Sequence, residues 1–183
     1  MLARGATLAA LKDKGLRLDL QGEHIAVPVQ ASANAADLGV QDLVIVAVKA
    51  PAMADVARRI GPLIGPNTVV LTAMNGVPWW FLQGFGGALS GTTLQSVDPS
   101  GVIAQHIPAD RVIGGVVHSS CSVDMPGVIR HHFGNGLHRD VGRLTAHDTC
   151  GFEAIRAIGY RLACGVFAVP AQAEIANGLG GVN

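Results

Sequence analysis

Charge is scarce in this chain: Asp, Glu, Lys and Arg make up 14% of its 183 residues and cancel to a formal net charge of zero. Without a basic run there is nothing to neutralise a phosphate backbone or an anionic bilayer surface, so nucleic acid and membranes are not expected partners. Apolar runs of the roughly 18–20 residues that a membrane helix needs are missing as well. The start, Met1-Leu2-Ala3-Arg4, lacks the apolar segment that follows the positive charge of a signal peptide, and a cytoplasmic location is expected. Cysteine is limited to Cys121, Cys150 and Cys164, an odd number without CxxC spacing, which points to reduced thiols rather than a disulfide or zinc framework. The seven histidines show neither HxxxH nor HExxH spacing, so no metal site is expected. Ser96, Ser119, Ser120 and Ser122 lack a GxSxG elbow, and no Walker A sequence occurs, which argues against a serine hydrolase or a P-loop enzyme.

What the chain has is apolar residues, 49% of the total, and 24 glycines. That balance excludes disorder of the whole chain and implies many turns. The length suits one ordinary domain, or one domain and a fragment of another. The most informative stretch runs from Asp42 to Gly76. Two almost unbroken Val- and Ile-rich runs, Leu43 to Val48 and Thr68 to Ala73, flank a segment with Met53, Val56, Ile60 and Ile64 at helical spacing. Parallel strands buried on both faces and joined by a crossover helix read this way, so the unit is βαβ and the fold class α/β. The helix is predicted over Ala52–Ile64, stopped by Gly65-Pro66, with Asp55, Arg58 and Arg59 outward.

Around this unit, Met1-Leu2-Ala3 reads as the end of a buried strand and Ala6 to Lys14 as a helix closed by Gly15. Leu16 to Leu20 and His24 to Val29 alternate like a peripheral antiparallel hairpin with one wet face. The aromatic cluster Trp79-Trp80-Phe81 is expected to pack. Asp98 to His106 resembles a capped short helix, Arg111 to Val117 a further strand, and Pro126 to His132 its antiparallel partner. Gly134 to Asp148 shows no period, Cys150 to Cys164 is a candidate helix, and Ala173 to Asn183 dissolves into glycines.

In open α/β sheets ligands lie outside the carboxyl ends of the strands. Three residues stand there. Arg4 follows what would be the second strand of a doubly wound unit, where an acid would accept from the 2′-hydroxyl of NAD and an arginine can hold the extra phosphate of NADP; a solvated turn arginine is the alternative. Lys49 ends the central strand and is otherwise a snorkelling surface lysine. Asn75, before Gly76, is otherwise part of an ordinary turn dipeptide.

Arg4-Gly5-Ala6-x-Leu8, Val44-Ile45-Val46-Ala47-Val48-Lys49, Ala73-Met74-Asn75-Gly76-Val77-Pro78-Trp79-Trp80, Arg111-Val112-Ile113-Gly114 and Pro126-Gly127-Val128-Ile129-Arg130-His131 together resemble the N-terminal domain of the ketopantoate reductase (2-dehydropantoate 2-reductase) family, in register from Leu2 to Asn135. The resemblance implies a Rossmann-like, mostly parallel sheet with flanking helices. It also implies NADPH-dependent reduction of 2-dehydropantoate to pantoate, on the route to pantothenate, with a small 2-oxo acid as substrate. It casts Arg4 as the 2′-phosphate contact, Lys49 as a residue near the cofactor, and Asn75 as a group beside nicotinamide and substrate.

Against the family pattern the GxGxxG turn and the first βα unit are missing before Met1, and the expected catalytic lysine is replaced by Gly178. The expected layout is therefore a partial, truncated NADP-binding domain over residues 1–135, followed over 136–183 by a linker and the degenerate start of a helical substrate domain near Gln172-Ala173-Glu174-Ile175. Impaired catalysis follows. The alternatives are a non-catalytic nucleotide-binding module, one completed by a partner or a second copy at an exposed sheet edge, or the product of a decayed or mis-started gene.

Overall fold

The computed structural model describes residues 1–83, 87–140 and 165–169. The predicted helix over Cys150–Cys164, the Gln172-Ala173-Glu174-Ile175 segment and Gly178 lie outside them. In chain order the elements are helix α1 (Gly5–Lys14), strands β1 (Leu16–Leu20), β2 (Glu23–Val27) and β3 (Gln41–Ala47), helix α2 (Met53–Arg59), strand β4 (Ile64–Ala73), helix α3 (Val102–His106), and strands β5 (Val112–Met125), β6 (Val128–Asp140) and β7 (Gly165–Val169). The seven strands form one mixed sheet in the order β2-β1-β6-β5-β4-β3-β7.

The βαβ unit stands at the centre of the fold. Strands β3 and β4 run parallel, with Leu43 opposite Val69 and Val46 opposite Thr72, and β5 continues the parallel set with Val70 opposite Val112. Alternation across the sheet divides β3 between two cores. Val44 and Val46 join Met53, Ala57, Ile60, Leu63, Val70, Trp79, Ile103 and Ile107 on the helix side, while Leu43 and Ile45 join Leu71, Ala73 and Ile113 on the other. Burial on both faces is why the strand sequence shows no polar alternation.

The crossover helix is shorter than predicted. It ends at Arg59, because Gly61-Pro62 starts a 3-10 turn over Gly61–Leu63 and Ile64 already opens β4. The buried set is accordingly Met53, Ala57, Ile60 and Leu63 rather than Met53, Val56, Ile60 and Ile64. Gly65-Pro66 lies inside the strand, where Arg111 Nη1 donates to the Gly65 carbonyl at 2.6 Å.

The predicted hairpin forms, β1 against β2 from Leu16 opposite Val27 to Leu20 opposite Glu23, and β2 is an edge strand. Helix α1 ends where Gly15 takes φ +69° and donates to the Leu11 carbonyl at 3.0 Å. A side chain there would bring its Cβ to 2.3 Å from the Val27 carbonyl oxygen. The pair β5 and β6 forms a long antiparallel ribbon turning at Pro126-Gly127, and β6 reaches Asp140 through the stretch that showed no period. Hydrogen bonding to β5 needs no hydrophobic alternation, so pattern alone could not find that extension. Trp79 is 3% exposed, and the ring of Trp80 lies over Gly114, where a Cβ would come to 2.5 Å from Cη2. Packing is thus the role of both tryptophans. Among the described residues no helix is long and apolar enough to cross a membrane.

Candidate functional site at the carboxyl ends of the parallel strands

Leu2 pairs in parallel with Ser32, the Ala3 amide donating to the Ser32 carbonyl and the Ser32 amide to that of Met1, both at 3.0 Å. The Met1 ammonium donates to the Gln30 carbonyl, and burial lowers its pKa below the ordinary value. This short pairing leads the chain out at Arg4, which is extended (φ −136°, ψ 162°) and sits at the N-cap of α1. Its side chain is 72% exposed, and its guanidinium lies 3.7 Å from the Asp55 carboxylate in the first turn of α2. Arg4 therefore leans toward the helix that follows β3.

Lys49 leaves the end of β3 in extended conformation (φ −73°, ψ 147°), and its carbonyl accepts the Ala52 amide at 2.9 Å to start the turn into α2. Its side chain is exposed, and among the described residues no acid pairs with it. Because β3 and β4 are parallel neighbours, Lys49 and Asn75 emerge at the same end of the sheet.

Asn75 is used more tightly than an ordinary turn residue. Its Nδ2 donates to the Val117 carbonyl at 3.0 Å and its Oδ1 accepts the Val117 amide at 2.8 Å. The side-chain amide thereby continues the β4–β5 ladder beyond Ala73, the last paired residue of β4, opposite Gly115. The pairing also fixes which side-chain atom is oxygen, since the Val117 amide requires an acceptor and its carbonyl a donor. One N–H and one lone pair remain, both at the strand end. Asn75→Ala is expected to lower stability by about 1–2 kcal/mol through loss of two hydrogen bonds at an exposed position. A urea titration checks this, and an unchanged midpoint would show that water replaces the amide.

Lys49 and Asn75 thus share one end of the sheet, whereas the predicted strand at Met1-Leu2-Ala3 is reduced to an isolated bridge outside the seven-stranded sheet, and Arg4 after it reaches the first turn of α2. No hydrogen bond or ion pair among the described residues joins Arg4, Lys49 and Asn75 to one another. Two features had no signal in the sequence. One is the loop after Ser32, where Ser32 Oγ donates to Asp37 at 2.6 Å, Asn34 Nδ2 donates to the same carboxylate at 3.2 Å, and the Asn34 amide donates to Ser32 Oγ at 3.0 Å. The other is Arg59, whose Nη2 donates to the Ala33 carbonyl at 2.8 Å and whose Nη1 lies 3.6 Å from Asp55. A helix pattern reports only that Asp55 and Arg59 face outward, not what lies opposite them.

Residues 1–79 match the family model described as ketopantoate reductase PanE/ApbA. A 2-dehydropantoate 2-reductase from Mesorhizobium japonicum is 50% identical over 131 residues, 72% of this chain and 40% of that protein. A crystal structure of a protein assigned as a ketopantoate reductase, from Ralstonia solanacearum MolK2, superposes with a TM-score of 0.76 at 51% identity, covering 86% of this chain and 48% of that one. A 2-dehydropantoate 2-reductase structure from Porphyromonas gingivalis W83 shares the fold, with a TM-score of 0.65 at 23% identity over 94% of this chain and 53% of that one. The chain thus spans about half or less of the length of these relatives. Through this family match and these identities, the chain belongs to the ketopantoate reductase family.

Proposed function

We propose that this domain binds NADPH at the carboxyl ends of β3 and β4, in the service of reducing 2-dehydropantoate to pantoate. The observation that carries the reading is the placement of Arg4. An exposed arginine beside the first turn of α2, held among the described residues by one long ion pair, suits a phosphate that arrives with several acceptor oxygens. Lys49 supplies a second positive charge at the end of β3, ahead of that helix. Asn75, clamped to Val117, presents its remaining N–H and lone pair from a rigid position, as orientation of a nicotinamide or a keto oxygen requires.

The nicotinamide supplies the hydride when bound, and the protein contributes orientation and electrostatics. Reduction of a ketone also needs a proton for the carbonyl oxygen. The position where the family resemblance expects a catalytic lysine is Gly178, which has no proton to give. Binding without efficient turnover is therefore the expected behaviour of this chain. The 2-oxo acid substrate and a cytoplasmic location belong to the same reading.

The test is a fluorescence titration of the 183-residue chain with NADPH and with NADH. Saturable binding that favours NADPH is expected, and Arg4→Ala is expected to weaken NADPH roughly tenfold, as loss of a charge-assisted contact does. Failure to bind either nucleotide would overturn the reading. Rapid NADPH oxidation on addition of 2-dehydropantoate, abolished by Lys49→Ala, would overturn the expectation of impaired catalysis.

A further inference from the structure

One oxygen of Asp55 serves two arginines. Oδ2 lies 3.7 Å from Arg4 Nη2 and 3.6 Å from Arg59 Nη1. The two arginines are not equivalent. Arg59 is 34% exposed and tied to the Ala33 carbonyl at 2.8 Å, whereas Arg4 is 72% exposed and its guanidinium has this carboxylate as its partner. Two guanidiniums and one carboxylate leave the trio with one positive charge in excess. A tethered cation, an exposed cation and a counterion shared between them form a subsite able to exchange one anion for another.

We propose that Asp55 is the resident counterion of an anion subsite made by Arg4 and Arg59, and that its displacement by the ribose 2′-phosphate sets the preference between NADPH and NADH. The inference rests on the reading of Arg4 given above and adds Arg59 as a second phosphate contact and Asp55 as a specificity-determining residue. Exposed ion pairs at this distance are weak and screened by salt, so a dianion with three acceptor oxygens competes well with a single carboxylate oxygen. Arg59, already ordered by Ala33, loses little freedom in changing partners. The Asp55 charge stays close after displacement and repels the phosphate. It therefore moderates affinity for NADPH without touching NADH, which carries no phosphate there.

Asp55→Asn should tighten NADPH roughly three- to tenfold by removing that repulsion and should change NADH less than about twofold. Arg59→Gln should weaken NADPH by a similar factor and spare NADH. The full chain is titrated with both nucleotides by fluorescence, and circular dichroism shows that each variant is folded. If the parent binds NADPH and Asp55→Asn leaves it unchanged or weaker, this inference is overturned while the reading of Arg4 stands. Weakening of NADH by Asp55→Asn would make Asp55 an acceptor for the ribose hydroxyl, which also overturns it. If the parent binds neither nucleotide, the proposed function fails and takes this inference with it.

Discussion

Replacing Trp79 by alanine is expected to cost about 3–5 kcal/mol of folding stability, the range for a large buried aromatic. Trp79 is 3% exposed and joins the core made by α2, α3 and the helix-facing side of β3 and β4. Its Nε1 also donates to the Ile107 carbonyl at 3.3 Å, at the end of α3, so truncation removes a hydrogen bond as well as ring volume. The loss reaches the candidate site, because Trp79 anchors the chain four residues after Asn75. A large fall in the urea midpoint is the expected result. A fall of under about 1 kcal/mol would mean that the ring sits in a site able to collapse around its absence. The Trp79→Phe variant separates the two contributions, since it keeps most of the volume and drops the donor.

Asp98→Ala is expected to cost about 2–4 kcal/mol, because it leaves buried backbone donors without an acceptor. The side chain is 1% exposed and accepts the Ile103 amide at 3.2 Å and the Ala104 amide at 3.0 Å, closing the open end of α3. Helix α3 places Ile103, and Ile107 just beyond its end, against Met53 and Ala57 of α2, in the same core as Trp79. Removal of the cap therefore loosens the support of the helix that carries Asp55 and Arg59. Asp98→Asn retains one acceptor and is expected to lose about half as much. Equal stability of the alanine variant and the parent in urea would show that water reaches the amides and that the cap is dispensable.

Asp98 shows how much a local signal can reveal. A cap acts within a few residues of itself, so the short helix was legible from an acid placed ahead of an apolar turn. The hairpin of β1 and β2 and the Gly15 stop were legible for the same reason. The parallel pair was legible because burial on both faces writes a continuous Val and Ile run into the sequence, as Val44 to Val46 shows. Lys49 and Asn75 stood out as polar residues after such runs, and β3 and β4 bring both to one end of the sheet, whereas Arg4 follows an isolated bridge outside it.

Composition and period by themselves determined the α/β class and the central βαβ unit, because each is a property of short windows. The tertiary structure alone decided what those residues touch. The termination of α2 at Gly61-Pro62, the course of β6 to Asp140, the double hydrogen bond of Asn75 to Val117 and the sharing of Asp55 between Arg4 and Arg59 all join groups far apart in the chain or depend on which neighbour fills the space. A pattern of apolar spacing states that a side chain faces outward. Only the tertiary placement of Arg4 and of the Ser32 loop beside α2 decides that two arginines meet the same carboxylate.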